Sequence, residues 1–273
     1  MKHSLRFIQM QVMILLLLLG GAGICRASNI NVLSPLIQER VAAVGTSYNG
    51  SIVIENSGKT PCRVQIYQTD YLYYADGRSS YGVLGENPAS NGNWVTSGSN
   101  WLTVPAQGKA TVHYKVEVPP NPALQGSYWS MLMVEAADDQ PIAGGKSQGA
   151  VALRTKLRYG VQVITNIGNT GSRQIRFLDR KISNEGGQRI LQLDIENSGE
   201  RSLNPVLSLQ LFNARGELIG NCQGGKFRIL PTCSVRQRIN LPALPRGNYK
   251  ALVIVDNGDQ YVFGANYDLV IEK

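Results

Sequence analysis

The pentapeptide Ile-Glu-Asn-Ser-Gly occurs at residues 54–58 and again at residues 195–199, each time at the end of a run in which apolar and polar residues alternate. Two further landmarks follow each copy in the same order. A proline, Pro105 or Pro231, precedes an alternating strand, and then Gly126-Ser127-Tyr128 or Gly247-Asn248-Tyr249 opens an apolar run. Ordered repetition on this scale indicates one structural unit used twice. Within each unit, Asn-Ser-Gly is expected to make a turn with a residue tolerant of positive φ, and Gly-X-Tyr to open a central strand.

The rest of the chain has the two-residue period of strands. Val112, Tyr114, Val116 and Val118 alternate with Thr111, His113, Lys115 and Glu117, which sends one row to a core and the other to water. Leu191, Leu193 and Ile195 repeat the pattern, as do Leu207, Leu209 and Leu211. Residues 130–134 and 252–255 are apolar enough to be central strands, and nothing after the N-terminal segment has helical periodicity. Short strands between Gly, Pro, Asn and Asp clusters indicate an all-β chain of two tandem immunoglobulin-like β-sandwich domains. The domains are expected at residues 28–166 and 173–273, with the Gly- and Asn-rich stretch at 167–172 as linker.

The first 27 residues read as a cleaved signal peptide. Lys2 and Arg6 precede the apolar stretch from Val12 to Leu19, which is short for a membrane span, and Cys25-Arg26-Ala27 offers small residues for cleavage after Ala27. Ile24, ahead of Cys25, speaks against a lipid anchor. The expected location is therefore the periplasm, with no membrane span after cleavage. Loss of Lys2, Arg6 and Arg26 with the leader lowers the formal charge of +8 by three. The remaining basic residues alternate with other residues along strands, as in Arg236-Gln237-Arg238, rather than forming a stripe with stacking aromatics, so nucleic acid is not an expected partner.

Export also frames the cysteines. Cys62, Cys222 and Cys233 remain after cleavage, and Cys222 and Cys233 flank a Gly-Gly turn and an apolar stretch, so a local disulfide between them is plausible in an oxidising space. Cys62 would then be a buried thiol. With no Cys-X-X-Cys pair and His113 as the only histidine after cleavage, neither a metal nor any other cofactor is expected. Nucleophilic catalysis would have to use His113, in a strand's polar row with no nucleophile motif nearby. Asp138-Asp139 reads as a solvated turn and Gly144-Gly145-Lys146-Ser147 as a hairpin tip rather than a phosphate cradle. These residues describe a binding module, not an enzyme.

Several segments of the first unit resemble the PapD-like periplasmic chaperones of fimbrial assembly. They are Glu39-Arg40-Val41, the strand end Ile54-Glu55-Asn56, Leu102-Thr103-Val104-Pro105, the strand from Tyr128 to Glu135, and above all the run from Ala152 to Tyr159, Ala-Leu-Arg-Thr-Lys-Leu-Arg-Tyr. The resemblance implies that this last run is an edge strand that completes a pilus or fimbrial subunit, with Val151 and Leu153 as its exposed apolar positions. It implies further that Arg40 and Arg158, or Lys156 in place of Arg158, anchor the subunit's C-terminal carboxylate in a basic interdomain cleft, and that an outer-membrane usher is a further partner. The chain departs from the family where Tyr159-Gly160-Val161 replaces the usual aromatic-Arg-Pro ending.

Elementary physics makes such a role intelligible. An edge strand offers unpaired backbone groups to an incomplete sheet, and arginine binds a carboxylate bidentately. The alternative is an envelope or surface adhesion protein that binds peptidoglycan, glycan or a protein partner. It draws on the aromatic-rich stretch containing Tyr67, Tyr71, Tyr73, Tyr74, Tyr81, Trp94 and Trp101, whose rings could stack on sugars or simply pack.

Overall fold

A computed structural model describes residues 29–137 and 157–271. The signal segment, Asp138-Asp139, the loop at residues 144–147 and the candidate partner-binding residues Val151, Leu153 and Lys156 lie outside the described residues.

The first half contains β1 (Ile30–Val32), β2 (Ile37–Ala42), β3 (Ser47–Asn56), β4 (Cys62–Tyr73), β5 (Ser79–Gly82), β6 (Val95–Ser97), β7 (Trp101–Val104), β8 (Gly108–Glu117), β9 (Gly126–Ala136) and β10 (Arg158–Ile167). The second contains β11 (Ile175–Glu185), β12 (Gln188–Asn197), β13 (Val206–Phe212), β14 (Leu218–Lys226), β15 (Ser234–Asn240), β16 (Gly247–Asp256) and β17 (Val262–Ile271). They form four sheets. In the first half, β1-β3-β8-β6 faces β2-β10-β9-β4-β5, with β7 also paired to β4; in the second, β11-β12-β15 faces β14-β13-β16-β17. The architecture is two immunoglobulin-like sandwiches in tandem.

Alternation decides what each sheet buries. Ile52, Ile54, Val112, Tyr114 and Val116 meet Val64, Ile66, Leu132, Val134, Val161 and Val163 in the first core. Leu191, Leu193 and Ile195 meet Leu207, Leu209, Leu211, Val253 and Val255 in the second. That second core does not stop at its own sheets, because Trp129 and Ile164, from β9 and β10, belong to it and are fully buried. One face of the larger N-terminal sheet thus closes the end of the C-terminal sandwich.

The repeated pentapeptide has one physical job in both halves. Asn56 is 1% exposed and Asn197 0%. The Asn56 amide donates to the carbonyls of Thr60 and Val104, and its oxygen accepts from Gly58 N–H at 2.9 Å. The Asn197 amide donates to the carbonyls of Arg201 and Ile229, and its oxygen accepts from Gly199 N–H at 3.0 Å. Each asparagine ties its turn to neighbouring backbone, although the Ile229 carbonyl also accepts from Leu203 N–H and Gly199 N–H also donates to the Gln174 carbonyl. The expectation of positive φ fails here, since neither Gly58 nor Gly199 has it. Space demands these glycines instead: a Cβ on Gly58 would sit 2.9 Å from Asn56 Oδ1, and one on Gly199 2.5 Å from the Ser172 carbonyl oxygen. Positive φ does occur at Gly126, which opens β9 at φ 79° and where a Cβ would lie 2.2 Å from the Glu200 carbonyl oxygen.

The disulfide expected between Cys222 and Cys233 is not formed; both are buried thiols. Cys222 lies in mid-strand on β14, opposite Leu209. Cys233 lies in the turn before β15 and is fully buried, with its sulfur against the backbone of Tyr73 from the first sandwich. Beyond Lys226 the stretch between the two cysteines leaves β14 and bonds to the backbone of Pro205 and Leu203, so it does not act as the return strand of a disulfide-closed hairpin.

Candidate functional site

The open edge of β10 is the candidate site. β10 pairs antiparallel with β9 along its whole length, from Arg158 opposite Glu135 to Ile167 opposite Gly126. On its other side β2 runs parallel, but only from Gln162 opposite Ile37 to Ile167 opposite Ala42. The Gln162 N–H donates to the Leu36 carbonyl at 2.8 Å. Successive residues of a strand direct their backbone groups to opposite sides. The N–H and C=O groups of Arg158 and Gly160 therefore point the same way as those of Gln162, where no strand covers them among the described residues. Beside this edge Leu33, Leu36, Ile37 and Leu157 are each 41% to 47% exposed. Clustered exposed aliphatics next to unpaired backbone are what an added strand would cover.

Arg40 and Arg158 are not brought together. Arg40 is exposed and stands opposite Thr165, seven residues along β10 from Arg158, a distance of roughly 23 Å at about 3.3 Å per residue. Arg40 lines an open cleft of about 550 Å³ with Ser34, Gln38, Asn49, Ser51 and His113. Among the described residues its side chain has no hydrogen bond or ion pair; its charge is felt by the hydroxyls of Tyr48 and Tyr114. Burial nonetheless dominates both, pushing the Tyr114 hydroxyl up to about 12 and raising that of Tyr48. Thr165, at the place on β10 where a basic partner of Arg40 would stand, is fully buried and bonded to Tyr48 Oη at 2.8 Å and to the Asn91 amide at 2.9 Å. Arg158 instead pairs with the carboxylate of Glu135, Nε to Oε2 at 2.6 Å.

The junction between the sandwiches uses residues that periodicity could not single out. Glu39 accepts from the Asn166 amide at 2.6 Å and forms an ion pair with Arg228 at 2.9 Å. Arg201, 9% exposed, donates to the carbonyls of Ile167 and Gly168, and burial lowers its basicity. The aromatic-rich stretch is largely absorbed by packing. Tyr73 reaches into the second sandwich, where its hydroxyl donates to the Arg228 carbonyl and accepts from Leu230 N–H at 3.1 Å. Trp94 packs on Tyr128 at 4.6 Å between centroids, and Tyr71 lies against Tyr73 and Tyr81. Trp101 is 40% exposed, with the guanidinium of Arg63 over its ring at 4.2 Å. One sequence signal was available for Glu135: it is an acid closing the run Met131-Leu132-Met133-Val134.

The fold and edge define a class, tandem immunoglobulin-like sandwiches with an incompletely paired strand at the end of the first. No family model matches the sequence, and no curated protein does. Among solved structures, the chain is similar to the class 5 fimbriae chaperone CfaA at 11% identity and a TM-score of 0.47, covering 89% of this chain and 100% of that one. It is also similar to the E. coli chaperone DraB at 13% identity and a TM-score of 0.40, covering 90% of this chain and 98% of that one. A structure of Salmonella enterica SafA pilin with the SafB chaperone aligns at 13% identity and a TM-score of 0.39, covering 90% and 98%.

Proposed function

We propose that this protein is a periplasmic chaperone-like module of fimbrial biogenesis that binds pilus subunit polypeptides by adding its β10 edge to their incomplete sheets. The observation that carries the reading is the early end of β2 cover: from Gln162 toward the start of β10, one side of the strand has no partner among the described residues. The exposed aliphatics flanking that edge supply apolar surface for a partner whose own sheet lacks a strand. Arg40 remains the candidate carboxylate anchor, because it lines an open cleft and its guanidinium is not engaged by another described side chain.

The test is co-expression with candidate subunits from the same locus, followed by affinity recovery of complexes. Leu36→Asp and Ile37→Asp place charges on the flank of the edge. As surface changes they are expected to alter stability by only about 0.5 kcal/mol, yet to abolish complex recovery. Arg40→Ala is expected to reduce recovery without changing thermal stability. Recovery of complexes at wild-type yield by all three variants would overturn the reading.

A further inference from the structure

A strand that lends its edge must present the right residues there, and alternation alone does not guarantee this. A slip of β10 by one residue along β9 would turn Val161 and Val163 out of the core, so it is strongly opposed. A slip by two residues keeps every side chain on its present face. Buried Ile164 and the bonds of Thr165 oppose it at the β2-covered end, and other contacts must hold the uncovered end.

Two such contacts lie on the outer face of this sheet. The first is the pair Arg158 and Glu135, which are direct neighbours across β10 and β9. Glu135 is 5% exposed, and its Oε2 lies 2.6 Å from Arg158 Nε in an ion pair and accepts from the Tyr67 hydroxyl of β4 at 3.0 Å. The second is Gly160, opposite Met133, where a Cβ would sit 2.4 Å from Met131 Cε. A two-residue slip would move the guanidinium away from a buried carboxylate and bring a longer side chain, Arg158 or Gln162, to the bare position under the methionines. Taking a cation away from a buried carboxylate is unfavourable.

We propose that Arg158, Glu135 and Tyr67 form a cross-strand clamp that fixes the register of the open edge, so that Arg158 is a positioning residue rather than a contact for a partner's carboxylate. The proposal rests on the edge-addition reading for its role in binding, but the clamp itself is a property of the unbound protein. The Arg158 guanidinium is paired with Glu135, while its side chain stays 56% exposed. What it supplies to a partner is a fixed order of backbone donors and acceptors at residues 158 and 160.

Amide hydrogen exchange on the purified full chain tests this without any partner. The N–H groups of Tyr159 and Val161 point toward β9, opposite in sense to Gln162. In Arg158→Ala, and in the near-isosteric Glu135→Gln, exchange at these two amides is expected to accelerate by about tenfold, the scale of losing an ion pair to a buried carboxylate at a strand end. Amides from Val163 onward, where β2 covers the strand, should keep their wild-type rates. The exchanged pair, Arg158→Glu with Glu135→Arg, should recover much of the protection lost in either single charge reversal. In co-expression, Arg158→Ala should lose subunit complexes together with edge protection, and the exchanged pair should regain both. Wild-type exchange in Glu135→Gln and Arg158→Ala would overturn the clamp, as would an exchanged pair no better than its single reversals. Failure of the wild-type chain to capture any subunit would instead count against edge addition and leave the exchange result standing.

Discussion

At the scale of single residues, the buried asparagines are the most informative positions. Asn56 and Asn197 each hold two carbonyls and one amide in the interior. Asn197→Ala should destabilise the protein by about 2 kcal/mol, measured by urea unfolding, because the Arg201 carbonyl loses the side-chain donor while the Ile229 carbonyl and Gly199 N–H keep Leu203 and Gln174. Asn197→Asp should do no better at neutral pH, since a carboxylate cannot donate to the Arg201 and Ile229 carbonyls. The thiols make a separate prediction. Burial pushes the Cys233 thiol from its ordinary 9.0 up to about 11, and that of Cys222 upward as well. The protonated thiol is favoured in the fold, so this contribution is complete below pH 9 and is lost as pH rises from there through about 11. Urea midpoints should fall over that window, and Cys233→Ala should show a shallower fall. Native protein should also leave Cys233 unalkylated by iodoacetamide at pH 8.

At the scale of elements, Gly160 shows how local fit and strand pairing depend on each other. Gly160→Ala brings a methyl against the mobile end of Met131, so the overpacking should cost only about 1 kcal/mol. The double variant with Met131→Ala should regain part of that loss, with thermal midpoints as the readout. This scale also separates what the sequence revealed from what it concealed. The cores follow directly from alternation: Val112, Tyr114 and Val116 face inward as their spacing requires, and Gly126 and Gly247 open central strands as the repeated Gly-X-Tyr implied. Period two assigns a side chain to a face but says nothing of its neighbour on the next strand. The partner of Arg158 is therefore invisible in the sequence, although Glu135 and Arg158 both stand in view. The same gap misled the pairing of Arg40 with Arg158, which are far apart along one strand pair, and of Cys222 with Cys233, whose closeness in sequence does not bring the sulfurs together. The repeated Asn-Ser-Gly was recognisable as a turn signal, while its buried, carbonyl-binding role depends on Val104 and Ile229, which arrive from distant segments.

At the scale of the whole molecule, the two sandwiches are joined by more than a linker. Trp129 and Ile164 complete the second core from the first sheet. Ser127 N–H donates to the Glu200 carbonyl at 2.8 Å, and Ser202 N–H to Ser127 Oγ at 2.8 Å. Ala75 N–H reaches Ser234 Oγ at 2.9 Å, beside the Tyr73 contacts. The expected outcome is a single cooperative calorimetric transition for the wild type. Tyr73→Ala removes both hydroxyl bonds and a ring packed against the second core, so it should split that transition in two or broaden it. Arg228→Ala, which breaks the single ion pair with Glu39, about a quarter exposed on each side, should have a smaller effect.

Tyr73 ends the same β4 strand that pairs with β9, which in turn carries β10. Load applied by a partner gripping the β10 edge therefore passes laterally through two rows of hydrogen bonds and then along β4 into the neighbouring sandwich. For a partner bound as proposed, detachment by force is therefore expected to work against both halves rather than peel one strand from one sheet.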